Sequence, residues 1–529
     1  MLESVGLGSR LKRATYGWVL LVLGCMGHGW ALDTEKLALT FEYLATKNLL
    51  HAHYSSLRMY ETYEFQPLWN QKTLESLLQG VQNCELHGLN PADYHLKELL
   101  SDSADAIQRD IFATDAYLSL GGQLLGGKLN PVSMEQTWTA KGRSLDLVEH
   151  LAVALESETI AESLEALAPQ HPTYKLLQKA LAHYRTMEAS GKWEKIPEGD
   201  MIRPGKSSPH IPAIRMRLVG RTLAESELND SELYDDILVK AVKEFQKNAN
   251  LEPDGLIGPA TLQKLNKDTQ ELIDQLRVNL ERWRWLPEDL GERYILVNIA
   301  DYRLDAFENG THALTQDVVV GRFQRQTPVF SATMRYMVLN PWWETPAKLA
   351  RLDVLPKFQK DATAVETLGY QILGKNNVEV DPATIDWKKI SATSFPYRIR
   401  QRPGPQNALG KVKFMFPNTH DVYLHDTPAV ELFKKTQRDF SSGCIRVRNA
   451  PELARWVLKG QPEAQRLDEW LASGQEKDVP LRKFVRVHLL YWTVVVNAQG
   501  DGVRFIADVY DRDDRVLQAL DAPLDGRNL

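Results

Sequence analysis

Cysteine is scarce in this chain: Cys25, Cys84 and Cys444 are the only three among 529 residues. So few exclude a disulfide framework, and Cys84 and Cys444 lie so far apart that both are expected as free thiols. An excess of one charge is also missing, since 63 basic residues face 69 acidic ones for a net charge of -6. That balance implies a mixed surface and no footprint for nucleic acid. Beyond the first 31 residues there is no apolar run of spanning length, which excludes a multispanning membrane protein. His53, His87, His150, His171 and His183 lack the close spacing of metal ligands, so no zinc site is expected there. What remains, 43% hydrophobic and 25% charged, is the composition of a soluble globular protein. The length exceeds one core and suggests about three units at roughly 150 residues each.

The N-terminus, residues 1-31, has the layout of an export signal. Arg10, Lys12 and Arg13 precede the apolar run Tyr16 to Met26, and Gly29-Trp30-Ala31 supplies small residues for cleavage after Ala31. Two other readings stand beside cleavage: an uncleaved anchor, and lipidation at Cys25, because Val22-Leu23-Gly24-Cys25 resembles a lipoprotein box. An exported chain that keeps Cys444 in a glycine turn points to chemistry, since an idle exposed thiol is an oxidation liability.

The body of the chain reads as multidomain α+β. Residues 32-199 are mostly helical, with Leu39, Phe41, Leu44, Leu49 and Leu50, and later Asp146, Leu147, Val148, Leu151 and Leu155, recurring at helical intervals. The aromatic set Tyr60, Tyr63, Phe65 and Trp69 fits the packing of a helical core. Residues 191 to 212 carry breakers and form a linker. A small unit at 200-270 shows helix, glycine-rich turn, helix. Residues 271-529 change period: apolar runs at 294 to 299, 303 to 307, 315 to 320, 336 to 339, 412 to 416 and 421 to 425 read as strands. Residues 347-402 return to a polar, partly helical pattern and read as an inserted subdomain. Pro428 to Lys435 suits a short helix, Asp439 to Gly443 a loop, and the segments 484 to 496 and 502 to 509 are expected to close the sheet.

His425 at a strand end and Cys444 in a glycine turn have the placement of an exposed site on a rigid frame. A thiol with a pKa of about 8.5 is a few per cent thiolate at neutral pH, so a nucleophilic Cys444 wants a base, and His425 is the candidate. The chemistry is acyl transfer, with backbone N-H groups at Gly443 and Cys444 as oxyanion donors and Gly443 allowing close backbone approach. Tyr423 shares the strand face of His425 and offers a hydroxyl. Arg446, two after Cys444, can bind a substrate carboxylate.

Two resemblances narrow this. Ala241-Val242-Lys243-Glu244-Phe245-Gln246 with Asp254-Gly255-Leu256-Ile257-Gly258 and Thr261-Leu262 resembles a peptidoglycan-binding helical module, although its first half departs at Ile211-Pro212-Ala213-Ile214-Arg215. Tyr423-Leu424-His425-Asp426-Thr427-Pro428 with Ser441-Ser442-Gly443-Cys444-Ile445-Arg446-Val447 resembles the signature of the L,D-transpeptidase catalytic domain. Phe395-Pro396-Tyr397-Arg398, the run Pro403 to Gly410 and Lys413-Phe414-Met415-Phe416-Pro417-Asn418 resemble the large periplasmic type, in which scaffold, peptidoglycan-binding and catalytic domains follow in this order. By resemblance, Cys444 is the nucleophile, His425 the base, Asp426 the carbonyl that orients it, and Arg446 the family arginine. Ser441 and Ser442 join the substrate-binding loop, and residues 347-402 become a lid that excludes water. Asp426 and Ser442 stand where the more familiar signature has Gly and His.

The implied reaction needs no metal and no cofactor. Cys444 attacks a tetrapeptide stem, releases D-alanine, and passes the acyl group to a diamino-acid amine in a 3-3 cross-link. Expected partners are peptidoglycan stems and other cell-wall synthesis enzymes, with carbapenems as acylating agents and a membrane link only through an uncleaved N-terminus. Hydrolysis, attachment of an anchored protein, a cysteine peptidase on other substrates and a non-catalytic wall-binding role are the alternatives.

Overall fold

The computed structural model describes residues 33–101, 105–191, 193–219, 231–497 and 500–524. The signal or anchor reading of residues 1-31, with Cys25, lies outside them. Among the described residues no helix is long and apolar enough to cross a membrane.

The first region is built around the helix Ala106–Gly126, buried on nearly every side. Asp105 caps its start by accepting from the Ile107 N-H at 3.1 Å. The helices Asp33–Thr46, His53–Thr62, Gln71–Asn83 and Ile160–Leu167 pack against it or its neighbours. Tyr60 is fully buried and donates to Asp110 at 2.7 Å, and Trp69 donates to Thr114 at 2.9 Å, whereas Tyr63 is exposed. The aromatic set is thus core for three members and surface for the fourth. Cys84 and Cys444 are both free, and burial pushes the Cys84 thiol well up.

The small middle unit has its own core around Ile214, Tyr234, Leu238, Val242 and Ile257. Gln246, on the helix Asp236–Asn248, explains why its second half is so patterned: the side chain donates to Asp254 and Leu256 and accepts from the Gly255 N-H, each at 2.9 Å. One amide therefore folds the glycine-rich turn onto the helix.

The C-terminal region is a nine-stranded sheet. Its strands are β1 (Arg293–Asn298), β2 (Arg303–Glu308), β3 (Thr311–Gly321) and β4 (Phe330–Leu339). After three minor-sheet strands and the rest of the insertion come β8 (Val412–Met415), β9 (Leu424–His425), β10 (Asp439–Ser441), β11 (Ile445–Val447) and β12 (Lys477–Leu490). The order is β10-β3-β11-β9-β8-β4-β12-β1-β2, and β2 pairs back on β3, so the sheet closes on itself. β1 is buried along its whole length because it lies between β12 and β2.

Several expectations need correction. The last segments do not close this sheet: β12 starts earlier, at Lys477, and runs through its middle, while β13 (Val494–Val496) and β14 (Val503–Phe505) form a separate hairpin. Asp439–Ser441 is a strand on β3 rather than loop. Asp421 to Tyr423 lies outside the strand, with Asp421 at φ +53°.

The insertion has its own core of Ala350, Val354, Leu355, Phe358, Val365, Tyr370, Ile372, Trp387 and Ile399. It also holds a small sheet, β5 (Trp343–Glu344), β7 (Arg398–Gln401), β6 (Tyr370–Leu373) in that order, so its packing unit begins at Trp343. In contrast, one continuous apolar core runs from the N-terminal helices into the large sheet. The helix Thr269–Arg284, opened by the capping box Asp268 and Glu271, joins the two. Trp283 stacks on Trp492 at 4.5 Å between ring centroids, and Trp138 meets Trp285 edge-on at 5.8 Å.

Candidate active site

Three adjacent strands bring the candidate residues onto one face. In register, Lys413 of β8 pairs with His425 of β9, and His425 with Arg446 of β11. Val412, Phe414, Leu424, Ile445 and Val447 alternate with them and point into the core. Just before their strands, two residues ahead of His425 and Arg446, Tyr423 and Cys444 form the next row, tied by the Ile445 N-H donating to the Tyr423 carbonyl at 3.1 Å. Tyr423, His425, Cys444, Arg446 and Lys413 are therefore neighbours on one surface.

The sulfur is not hydrogen-bonded to His425. Its one hydrogen bond among the described residues runs to the Asp421 carbonyl at 3.7 Å, and the Tyr423 backbone N-H and hydroxyl lie close enough to lower its pKa. Burial raises the Cys444 pKa, while the two Tyr423 donors, then Lys413 and Arg446, pull it down. Burial and the neighbouring sulfur drive the Tyr423 hydroxyl far above its usual range, an effect that the Trp343 side chain beside it partly offsets. Trp343, at the root of the inserted subdomain, thus reaches the sulfur through Tyr423.

His425 is buried, and its Nδ1 meets the Asp426 carbonyl at 2.5 Å, which fixes the ring and leaves Nε2 open. Burial first, then the cations Arg446 and Lys413, lower its pKa to about 3, so the imidazole is neutral at pH 7. The Asp426 carboxylate turns away and accepts from the Lys411 N-H at 2.8 Å.

The loop before Cys444 is held from inside. Ser441 is buried, and its hydroxyl donates to the Cys444 carbonyl at 2.5 Å and accepts from the Gly443 N-H at 3.1 Å. That corrects two expectations: Ser441 shapes the loop rather than facing a substrate, and the Gly443 N-H is already occupied and cannot serve an oxyanion. Gly443 is needed for its φ of +118°, not for close approach, since a Cβ there would meet nothing nearer than the Gln326 carbonyl at 3.8 Å. Close approach applies instead at Gly321, where a Cβ would lie 2.2 Å from the Arg325 carbonyl. This turn carries Thr327, which donates to the Gly443 carbonyl at 2.9 Å. Ser442 accepts from Arg325 at 2.9 Å, and the same nitrogen reaches Asp353 of the inserted subdomain at 2.8 Å.

Lys413, Trp343, Arg325, Thr327 and Asp353 were not legible as site residues, because each reaches the site only through strand register or a long loop. Two local signals touch Lys413: the alternation in Val412-Lys413-Phe414, which places it on the polar face, and the stretch Lys413 to Asn418 that resembles the large periplasmic type. Among the described residues no three metal-ligating side chains cluster.

With this geometry in place, the comparisons are specific about its class. Residues 292–464 match the L,D-transpeptidase catalytic domain, residues 220–265 a peptidoglycan binding domain, and residues 56–181 a scaffold domain. Along the chain the three matches follow in the order scaffold, peptidoglycan binding, L,D-transpeptidase catalytic domain. A relative from Haemophilus influenzae, named "Putative L,D-transpeptidase", is 36% identical over 247 residues, covering 46% of this chain and 49% of the relative. The chain spans about half the length of that curated relative. Among solved structures, an LD transpeptidase in complex with imipenem aligns at 12% identity and TM-score 0.18, over 38% of this chain and 59% of that one. An L,D-transpeptidase from Xylanimonas cellulosilytica aligns at 15% identity and TM-score 0.18, over 56% of this chain and all of its own.

Proposed function

We propose that the chain is a peptidoglycan L,D-transpeptidase that forms 3-3 cross-links through a thioester on Cys444. The observation that carries this reading is the Cys444 sulfur, set beside Tyr423 and a neutral His425 within the stretch that matches the L,D-transpeptidase catalytic domain. The sulfur attacks the carbonyl of the third residue of a tetrapeptide stem. The S-C bond forms, the C-N bond to D-alanine breaks, and the thiol proton leaves on the amine. A diamino-acid amine from a second stem then displaces the sulfur, which regains a proton.

His425 acts as the proton carrier through its open Nε2. Its low basicity comes partly from Arg446 and Lys413, so a substrate carboxylate beside those cations offsets their field and makes the imidazole a better base. Arg446 is the proposed carboxylate contact. Tyr423 and the Cys444 N-H replace Gly443 as proposed oxyanion donors. Residues 347-402 act as the lid, favouring an amine over water as acceptor. Peptidoglycan as substrate implies work in the cell envelope, in the periplasm if the N-terminus is an export signal, and the reactive thiol predicts acylation by carbapenems.

The test is to incubate the purified protein and Cys444→Ala with tetrapeptide-containing muropeptides and follow products by mass spectrometry. Dimer with loss of D-alanine, absent in the variant, is expected. D-alanine release without dimer would leave a carboxypeptidase, and equal activity in the variant would sink the thiol mechanism.

A further inference from the structure

Lys413 is a cation with no acid in direct contact. The side chain is half-buried, and among the described residues no carboxylate lies within ion-pair distance. Its ammonium instead lies 4.1 Å from the centroid of the Tyr423 ring, whose hydroxyl is beside the Cys444 sulfur. Register places Lys413 directly opposite His425. Keeping an ammonium partly out of water without a counter-ion is costly, and one aromatic face offsets only about 0.5–2 kcal/mol of that. The arrangement makes sense if a negative charge arises nearby during the reaction.

The charges around it support that. Lys413 is faced by the Cys444 sulfur first, and by Glu476 and Asp421 more weakly. The sulfur is faced by Tyr423, Lys413 and Arg446, while Arg446 itself is faced by Arg322 and Glu431. His425 is neutral and does not hydrogen-bond the sulfur, so the imidazolium that commonly stabilises a thiolate is missing from this resting arrangement.

We propose that Lys413 is the electrostatic partner of Cys444, stabilising the thiolate through its seat on the Tyr423 ring in place of an imidazolium. The proposal rests on the reading of Cys444 as nucleophile, but its test does not depend on cross-linking.

The experiment measures iodoacetamide alkylation of Cys444 from pH 5 to 10 by intact mass, for the full chain, Lys413→Met, Lys413→Gln and Lys413→Arg, with Cys444→Ala as blank. The expected result is a midpoint raised by about one unit in the Met and Gln variants, hence about tenfold slower alkylation at pH 7, with Arg close to the parent. A profile unchanged in both neutral variants, with parental circular dichroism, would overturn the proposal. Uniform slowing with the midpoint unmoved would overturn it too, since that marks altered access. If the midpoint shifts while the parent makes no cross-link, the transpeptidase reading fails and this one stands.

Discussion

Tyr423, rather than His425, stands level with Cys444 across the β9 and β11 edge, with its backbone N-H and hydroxyl both close enough to lower the thiol pKa. Removing the Tyr423 hydroxyl alone therefore addresses the nucleophile without disturbing the strand. A hydrogen bond to a charged group contributes roughly 1.5–3 kcal/mol, so Tyr423→Phe is expected to slow acylation by a carbapenem about 10- to 100-fold. Stopped-flow acylation rates check this, with an unchanged melting temperature as control.

His425 links pH to stability as well as to catalysis. Its folded pKa, about 3, lies below the ordinary value of 6.5, so between those limits the unfolded chain binds a proton that the folded chain does not. Stability from this group is complete above pH 6.5 and falls as pH drops toward 3, by up to about 1.4 kcal/mol per unit. His425→Gln is expected to flatten the pH dependence of the urea midpoint across that window. An identical slope in the variant would count against a buried neutral imidazole.

Arg325 joins the loop before Cys444 to the insertion, through Ser442 at 2.9 Å and Asp353 at 2.8 Å. Asp353 lies in the π-helical turn Ala350–Val354, a strained geometry common at functional sites. The pair is partly exposed, so its coupling in a double-mutant cycle is expected at no more than about 1 kcal/mol. The larger effect is on dynamics. Asp353→Asn should speed amide exchange in residues 347–360 with little change elsewhere, read by hydrogen exchange and mass spectrometry.

Much of this was readable from the chain, and the reason is local pattern. Alternation fixed the strands carrying Lys413 and His425, and the run Ser441 to Val447 marked the nucleophile loop. What could not be read was register. That Arg446 rather than Cys444 faces His425 depends on how two short strands align, which no local rule sets. Likewise, the hydroxyl of Ser441 looked free for a ligand until the loop's own N-H and carbonyl were seen to take it. The placement of β12 beside β1 joins segments distant in sequence, so the hairpin after it was misread as part of the sheet.

Gly443 offers a test of backbone strain separated from packing. At φ +118° a side chain is disfavoured although space for a Cβ exists, so the cost is conformational, on the order of 1–3 kcal/mol. Gly443→Ala is expected to lower the urea midpoint modestly and to suppress acylation far more, because the Cys444 sulfur moves relative to Tyr423. Parallel denaturation and acylation measurements separate the two effects.

The junction between the helical region and the sheet depends on a buried ion pair. Glu281 and Arg284 are both fully buried. The Glu281 carboxylate accepts from Arg284 at 2.5 Å, from Trp285 at 2.9 Å, and from the N-H groups of Lys128 and Leu129 at 3.1 and 2.8 Å. Arg284 in turn donates to the His87 carbonyl at 2.7 Å and to Tyr174 at 3.0 Å. The Glu281 carboxylate is the acceptor for Arg284, Trp285, Lys128 and Leu129 at once. Glu281→Gln leaves the guanidinium buried without its counter-charge and turns an amide N-H toward groups that are themselves donors. Breaking one partner of a buried pair costs about 3–5 kcal/mol. The expected outcome is a fall of that size in unfolding free energy by urea titration, with new protease cleavage between residues 127 and 131, where the chain leaves the central helix. A loss below about 1 kcal/mol would mean that the shared apolar core, not this charge network, holds the two regions together.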